Sequence, residues 1–313
     1  MKRPLVSVVM AVYNAQEFLN IAIDSILLQT YKNLELVVVD DGSTDNSVHI
    51  IKNYSDRRLK YIYQKNQGLA AALNTGIRAA MGKYIARMDA DDISDSSRLE
   101  KQVKFLEKNK DVGLVGTSFY MIDENGGVID HSYNLDRPQD LRAEIFVRNP
   151  FGHGTVMLRR RAIDSIGFYN TVEPIEDYEM WWRVTQKFKT ANLLEDLYSW
   201  RIVASGMSHG SSDKRQPFIT SLMKKIWQQT KLPSMSLSQI KEGLTHYQSE
   251  GTAYHEQYLY MLAALYLSAV KMNRRLYASK LLVKLLLADK SFREAITELR
   301  RNPRSHNYNL ANL

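Results

Sequence analysis

Four short apolar runs in the first third of the chain, three of them closed by a polar cluster, constrain its fold more than any other feature. Residues 6–12, 34–39, 59–63 and 84–88 read as strands. Between them, residues 17–29, 45–54 and 69–80 have helical spacing, with Phe18, Ala22 and Ile26 on one face of the first. Ser43 or Thr44 is placed to cap the second helix, and Gly82 to end the third. The alternation predicts an α/β fold with a mostly parallel sheet and helices on both faces. Such a sheet takes its ligands beyond the C-terminal ends of its strands. Three clusters fall at those ends: Tyr13-Asn14, Asp40-Asp41-Gly42-Ser43 and Asp89-Ala90-Asp91-Asp92. They are distant in sequence, yet this architecture brings them to one edge.

The regularity then fades. Ser97-Arg98-Leu99-Glu100 matches a capping box opening a helix to about Glu107. Residues 112–122 read as a strand, which Glu124-Asn125-Gly126-Gly127 turns toward Val128-Ile129. Residues 155–158 read as a strand and 178–188 as a helix, expected to extend the sheet and flank a second ligand. Residues 206–217 are polar and glycine-containing, as a linker or lid would be. Residues 218–300 read as mainly helical, with breaks at Pro233 and Gly251.

Composition removes several classes. With 313 residues, 44% of them hydrophobic, the chain can bury a large core. No cysteine is present, so disulfides and thiolate metal sites are excluded. The basic start Met1-Lys2-Arg3-Pro4 leads into an apolar run that is short for a leader and reads as the first strand. The most apolar later stretch, 259–272, is shorter than the roughly 18–20 residues a bilayer span needs. The net charge of +8 is unevenly spread: residues 213–313 carry 16 Lys or Arg and 7 Asp or Glu, an excess of +9, against −1 for residues 1–212. That basic third suits an anionic membrane surface or an anionic acceptor better than nucleic acid, with an ordinary solvated surface as the plain alternative.

The acidic clusters carry the chemistry. Asp89 and Asp91 point the same way along extended backbone, and two carboxylates so close need a positive partner. Mg2+ or Mn2+ fits, and also holds a diphosphate. Asp40 and Asp41 are placed to accept from a nucleobase N–H or a ribose hydroxyl, or to serve the turn itself. Glu173, Glu176, Asp177 and Glu179 gather before the aromatic helix Tyr178-Trp181-Trp182-Arg183, where a carboxylate suits a general base or an ordinary first-turn acid. His153, between two glycines, is a phosphate or acceptor contact or a turn residue. No Gly-X-Gly-X-X-Gly follows the first strand, and no Gly-Lys-Ser/Thr loop or Gly-X-Ser-X-Gly elbow occurs. These absences count against dinucleotide oxidoreductases, phosphate-loop ATPases and serine hydrolases.

Taken together, these residues resemble the family 2 glycosyltransferases of the GT-A fold, the inverting group that builds bacterial surface polysaccharides. The matching segments are Val6-Ser7-Val8-Val9-Met10-Ala11-Val12-Tyr13-Asn14, Val39-Asp40-Asp41-Gly42-Ser43-Thr44-Asp45, Asn66-Gln67-Gly68-Leu69-Ala70 with Asn74 and Gly76, Met88-Asp89-Ala90-Asp91-Asp92, His153-Gly154-Thr155 and Glu176-Asp177-Tyr178-Glu179 with Trp182-Arg183. The resemblance covers residues 5–205. It implies a GT-A-like fold with a catalytic domain at 1–205 (nucleotide-binding half 1–110, acceptor half 111–205), to which the residue pattern beyond it adds a linker or lid at 206–217 and a mainly helical C-terminal extension over 218–313.

It also implies a metal-dependent hexosyltransferase or related enzyme, cytoplasmic or peripheral on the inner face of the cell membrane. Such an enzyme moves a sugar from a nucleotide-sugar donor, UDP-linked, to a glycan or lipid-linked glycan. By the same resemblance, Ala11 and Tyr13 line the nucleoside pocket and Asp41 meets uracil. Asp89 and Asp91 form the Asp-X-Asp motif, with Asp91 the direct Mn2+ or Mg2+ ligand and Asp89 at ribose or a metal-bound water. Asp177 is the base, Glu176 orients it or the acceptor, and Arg201 neutralises diphosphate. The family's Tyr-Arg-X-His is Trp200-Arg201-Ile202-Val203 here, so its histidine is missing unless His209 replaces it. A sugar-phosphate nucleotidyltransferase and a non-catalytic glycan-binding module on the same fold are the competing readings.

Overall fold

The computed structural model describes residues 3–203, except 133, 135–140, 142–144, 146–148 and 173, together with Arg215, Pro217, Phe218, Ile219, Ser221, Leu222 and Lys225. The chain divides into two units, Met1–Gln229 and Thr230–Leu313. All described residues belong to the first unit. The predicted lid, His209, Glu173 and the helical extension lie almost wholly outside the described residues. Among the described residues, no helix is long and apolar enough to cross a membrane.

The expected alternation forms. Strands β1 (Val6–Val12), β2 (Leu34–Asp40), β3 (Leu59–Tyr63) and β4 (Tyr84–Met88) alternate with helices α1 (Leu19–Leu27), α2 (Ser47–Lys52) and α3 (Leu69–Ala79). These are followed by β5 (Ile93–Ser94), α4 (Arg98–Lys108), β6 (Val112–Ile122), β7 (Val128–His131), a 3-10 turn at His153–Thr155, β8 (Met157–Arg159), α5 (Arg160–Ile166), α6 (Glu176–Lys187) and β9 (Lys189–Arg201). One mixed sheet runs in the order β3-β2-β1-β4-β8-β6-β9-β5, with β7 paired to β6. The pairs β1–β2, β1–β4, β2–β3 and β6–β9 are parallel, and β8 joins the halves antiparallel to both β4 and β6.

β1 and β2 are apolar on both faces because both faces are covered. Val6, Val8, Met10 and Val12 pack toward Leu19, Ile23 and Ile26 of α1, while Val9 packs with Leu73 and Ile77 of α3. Each such fully buried side chain contributes about 1.5–3 kcal/mol. Gly76 lets α3 approach the sheet, since a Cβ there would lie 2.5 Å from Val9 and 3.2 Å from Val39.

Three local expectations need correction. No side-chain cap forms at Ser43, Thr44 or Ser97. Asp45 accepts from the Ser47 N–H at the start of α2, and the Ser97 hydroxyl donates to Asp95 while Glu100 accepts from Thr30. At α2 a carboxylate, a stronger acceptor than a hydroxyl, takes the orphan N–H, and at α4 the Leu99 N–H donates to the Gln29 side-chain oxygen instead. His153–Thr155 is a 3-10 turn, so the strand starts at Met157 rather than Thr155.

Candidate active site

The register of β1 sets Val12 beside Asp40 of β2 and Met10 beside Met88 of β4. The polar ends of these strands therefore lie together, with β2 and β4 roughly 10 Å apart across β1 at the usual strand spacing. Asn14, at φ 49°, clasps the loop after β1 to the loop after β2. Its N–H donates to the Ser43 hydroxyl (3.0 Å), and its side-chain oxygen accepts from the Thr44 N–H (2.8 Å). Ala15 and Gln16 donate to Ser47 and Asp45 in the same zipper. Ala11 is half-buried and Tyr13 is exposed.

Asp40 and Asp41 both turn inward. Asp40 accepts from the Ser43 N–H and the Tyr61 hydroxyl. Asp41 is 3% exposed and accepts from Gln64 Nε2 (2.7 Å), Gln67 N–H (2.9 Å) and Gly68 N–H (2.8 Å). It thus braces the loop that opens α3. Three of about four acceptor positions on its carboxylate are filled.

The loop after β4 sorts its three aspartates. Asp92 is buried, accepting from Tyr198 Oη (2.7 Å) and the Arg201 N–H (2.7 Å) of β9. The same Tyr198 oxygen accepts from the Asp89 N–H (3.2 Å). Asp89 pairs with Arg87, and Asp91 is half-buried beside it. Burial, then the Asp89 charge, pushes Asp91 up to about 6. An under-compensated carboxylate of this kind suits a hard divalent cation. Among the described residues no three acidic or histidine side chains gather as a ready metal cage. One or two carboxylates with a substrate diphosphate completing the shell is the arrangement Mg2+ commonly adopts.

Arg201, expected at the diphosphate, lies beside Asp91. It is buried, its guanidinium donates to the carbonyls of Asp91, Asp123 and Glu124, and it covers the Phe18 ring at 4.3 Å. It ties the acidic loop to the β6–β7 turn.

A second group of carboxylates opens α6. Asp177 accepts from Asn149 Nδ2 (2.6 Å) and from the Tyr178 N–H (2.6 Å). Burial raises its pKa above the ordinary carboxylate value, opposed by these donors and by Arg87 and Arg215. Glu176, half-buried, is pushed up to about 7 by burial and then by Asp177. His153 Nδ1 lies 4.0 Å from Glu176 Oε1, and its Nε2 lies 3.1 Å from Tyr169 Oη. Burial, with help from Arg87, pulls the imidazole pKa well down, so the ring is neutral at pH 7. Glu179 is engaged elsewhere, forming a bidentate pair with Arg183, which also donates to the carbonyls of Ile166, Gly167 and Phe168.

Arg87 joins the two sides, and the sequence reading missed it. It sits on β4 two residues before Asp89, is 4% exposed, and its charge acts on Asp91, Glu176 and Asp177. Burial opposes its own charge, and the neighbouring Asp89 more than compensates. An arginine inside an otherwise apolar buried strand was the available signal. Gly154 sets how closely the turn before β8 approaches: a Cβ there would lie 2.0 Å from Tyr198 Oη and 2.9 Å from Asp89 Oδ2.

A family model described as Glycosyl transferase family 2 matches residues 7–167. The "Putative glycosyltransferase EpsE" of Bacillus subtilis (strain 168) is 42% identical over 207 residues, 63% of this chain and 73% of the relative. The "Uncharacterized glycosyltransferase MJ1057" of Methanocaldococcus jannaschii is 34% identical over 209 residues, 64% and 72% of the two chains. Among solved structures, S. aureus TarS 1-349 in complex with UDP-GlcNAc is similar at TM-score 0.60 and 18% identity, covering 84% of this chain and 81% of that one. The mannosyltransferase PcManGT from Pyrobaculum calidifontis, in complex with GDP-Man and Mn2+, has TM-score 0.57 and 20% identity over 95% and 84%. At these identities the structures share a fold.

Proposed function

Because this chain belongs to the family 2 glycosyltransferases and moves a sugar from a nucleotide-sugar donor, we propose an inverting, single-displacement transfer from a UDP-sugar to a glycan or lipid-linked glycan hydroxyl. Family membership implies a metal-assisted reaction and sets aside the nucleotidyltransferase and binding-module readings.

The observation that carries the proposal is the disposition of the carboxylates. Asp89 and Asp91 end β4, Glu176 and Asp177 open α6, and the charge of one buried Arg87 acts on both sides. On this reading Ala11 and Tyr13 line the nucleoside pocket. Asp41 braces the pocket through the 64–68 loop and uses its remaining acceptor position for the base N–H. Asp91 would hold Mn2+ or Mg2+ with Asp89 beside it, and the ion would supply positive charge against the diphosphate leaving group. Asp177, oriented by Asn149, takes the proton of the acceptor hydroxyl. That oxygen attacks the anomeric carbon opposite the diphosphate, so an α-linked donor gives a β glycoside. Glu176 orients the acceptor. The basic residues 213–313 bring the enzyme to an anionic membrane surface at the cytoplasmic face.

A hydrolysis screen over UDP- and GDP-sugars with Mn2+ or Mg2+ tests the donor class without an acceptor. Turnover confined to GDP-sugars removes the uracil reading. Asp177→Asn is expected to keep UDP binding and lose most turnover, and near-normal turnover eliminates Asp177 as base. Calorimetry with UDP is expected to show Mn2+-dependent binding in the parent and none of that dependence in Asp91→Ala.

A further inference from the structure

Asn74 belongs to the sequence pattern that carries the family resemblance, yet nothing in the proposed chemistry uses it. It lies mid-way along α3, is 4% exposed, and faces Tyr169 in the segment between α5 and α6. Its side-chain amide makes both hydrogen bonds of a backbone bridge: Nδ2 donates to the Tyr169 carbonyl (2.9 Å), and Oδ1 accepts from the Tyr169 N–H (2.9 Å). A side chain that satisfies a buried donor and a buried acceptor of one distant residue fixes that residue's position as strand pairing would.

What it fixes is aromatic and polar together. Tyr169 is 5% exposed, with its hydroxyl 3.1 Å from His153 Nε2. Its ring stands 6.2 Å from that of the fully buried Trp181, edge to face, and the His153 ring stands 5.9 Å from the same indole. His153 Nδ1 in turn lies 4.0 Å from Glu176, next to Asp177. At its other end, α3 begins at the Gly68 N–H held by Asp41. One helix therefore touches the donor-side loop and, through Asn74, the residues behind the acceptor-side carboxylates.

We infer that Asn74 is a positioning residue for the acidic end of α6, acting through the Tyr169 main chain, the Tyr169 hydroxyl and His153. The inference rests on the assignment of Asp177 as the base. The assay uses a UDP-sugar that the parent hydrolyses with Mn2+, with calorimetry of UDP and Mn2+ as the donor-side control. Asn74→Ala is expected to hold UDP affinity and KM within about twofold while kcat falls about tenfold or more. Asn74→Asp keeps the acceptor for the Tyr169 N–H and is expected to recover part of the loss. Tyr169→Phe keeps the clamp and the ring but removes the His153 contact, and is expected to lower kcat alone, by about threefold or more. Because both act along one path, the double variant is expected within about twofold of Asn74→Ala. Losses that multiply, a fall in UDP affinity parallel to kcat, or parent-like kcat in a folded Asn74→Ala overturn the inference. If Asn74→Ala does not fold, Tyr169→Phe decides alone, and parent-like kcat overturns it. Asp177→Asn run alongside separates the two readings. Normal turnover there removes both the base and this role, whereas an inactive Asp177→Asn with parent-like Asn74 and Tyr169 variants removes only this one.

Discussion

Replacing Gly154 by alanine tests how the acidic loop is built. The new methyl carbon would lie 2.0 Å from Tyr198 Oη, 2.4 Å from Tyr198 Cζ and 2.9 Å from Asp89 Oδ2. Ordinary carbon contacts need about 3.5 Å or more, so the tyrosine must shift by more than an ångström. Its hydroxyl then loses the 2.7 Å bond to Asp92 and the 3.2 Å bond from the Asp89 N–H. Overpacking of a dense interior costs about 1–3 kcal/mol. Each of the two hydrogen bonds adds about 0.5–1.5 kcal/mol, giving a total of about 2–6 kcal/mol. For a unit of this size that lowers Tm by roughly 5–20 °C. Scanning calorimetry reads the loss, and Mn2+ titration with UDP reads the accompanying disorder of Asp89 and Asp91. Tyr198→Phe in the same background removes the nearest clashing atom, so the two losses should be less than additive. A Gly154→Ala protein melting within about 1 °C of the parent would refute the packing argument.

Three further outcomes follow from the charges. Glu176, pushed up to about 7, holds its proton in the folded state at a pH where the unfolded chain has released it, so its contribution to stability is lost as pH rises. Glu176→Gln should therefore gain about 2 kcal/mol on the parent between pH 5 and pH 8 in paired denaturant titrations, and a constant difference would count against it. Arg87→Gln removes the cation that lowers Glu176 and Asp177, so the acid limb of kcat/KM should move to higher pH, more than in Arg87→Lys; an unmoved limb argues against the shared counter-ion. Glu179→Gln weakens the pair with Arg183 and should cost about 1–3 kcal/mol while turnover stays within a few-fold, since this carboxylate is taken up by the arginine that binds the carbonyls of the α5–α6 connection.

The parts legible in the sequence are those whose physics is local. β1, β2 and β4 are largely apolar runs, interrupted inside only by Ser7, Glu35 and Arg87, because both of their faces are covered, and their polar ends follow from chain direction alone. β9 is different: Lys-Thr-Ala-Asn-Leu-Leu-Glu-Asp-Leu-Tyr-Ser-Trp-Arg keeps no single period, because the strand shifts register against β6 in several places. The acidic positions were readable, but their sorting was not. Asp92 is a framework residue because Tyr198 and Arg201, more than a hundred positions away, donate to it. Asp41 looks outward as a sequence and inward as a structure, because the 64–68 loop returns to it. Arg87 was visible as a charge in a strand, but only the fold shows which acids it serves.

The mooring of Arg201 bears on how this protein is handled. Its N–H and guanidinium hold Asp92 and Asp91 from the last residue of β9, so the polypeptide leaves the sheet at the acidic loop itself. A shortened protein cut ahead of that point would release the acidic loop. A fusion partner or tag joined just after it would begin within a few ångströms of the same loop. Segments grafted or swapped at this junction are thus changes to the anchorage of the acidic loop, and an exchange of C-terminal regions between relatives should keep residues 189–203 with the sheet.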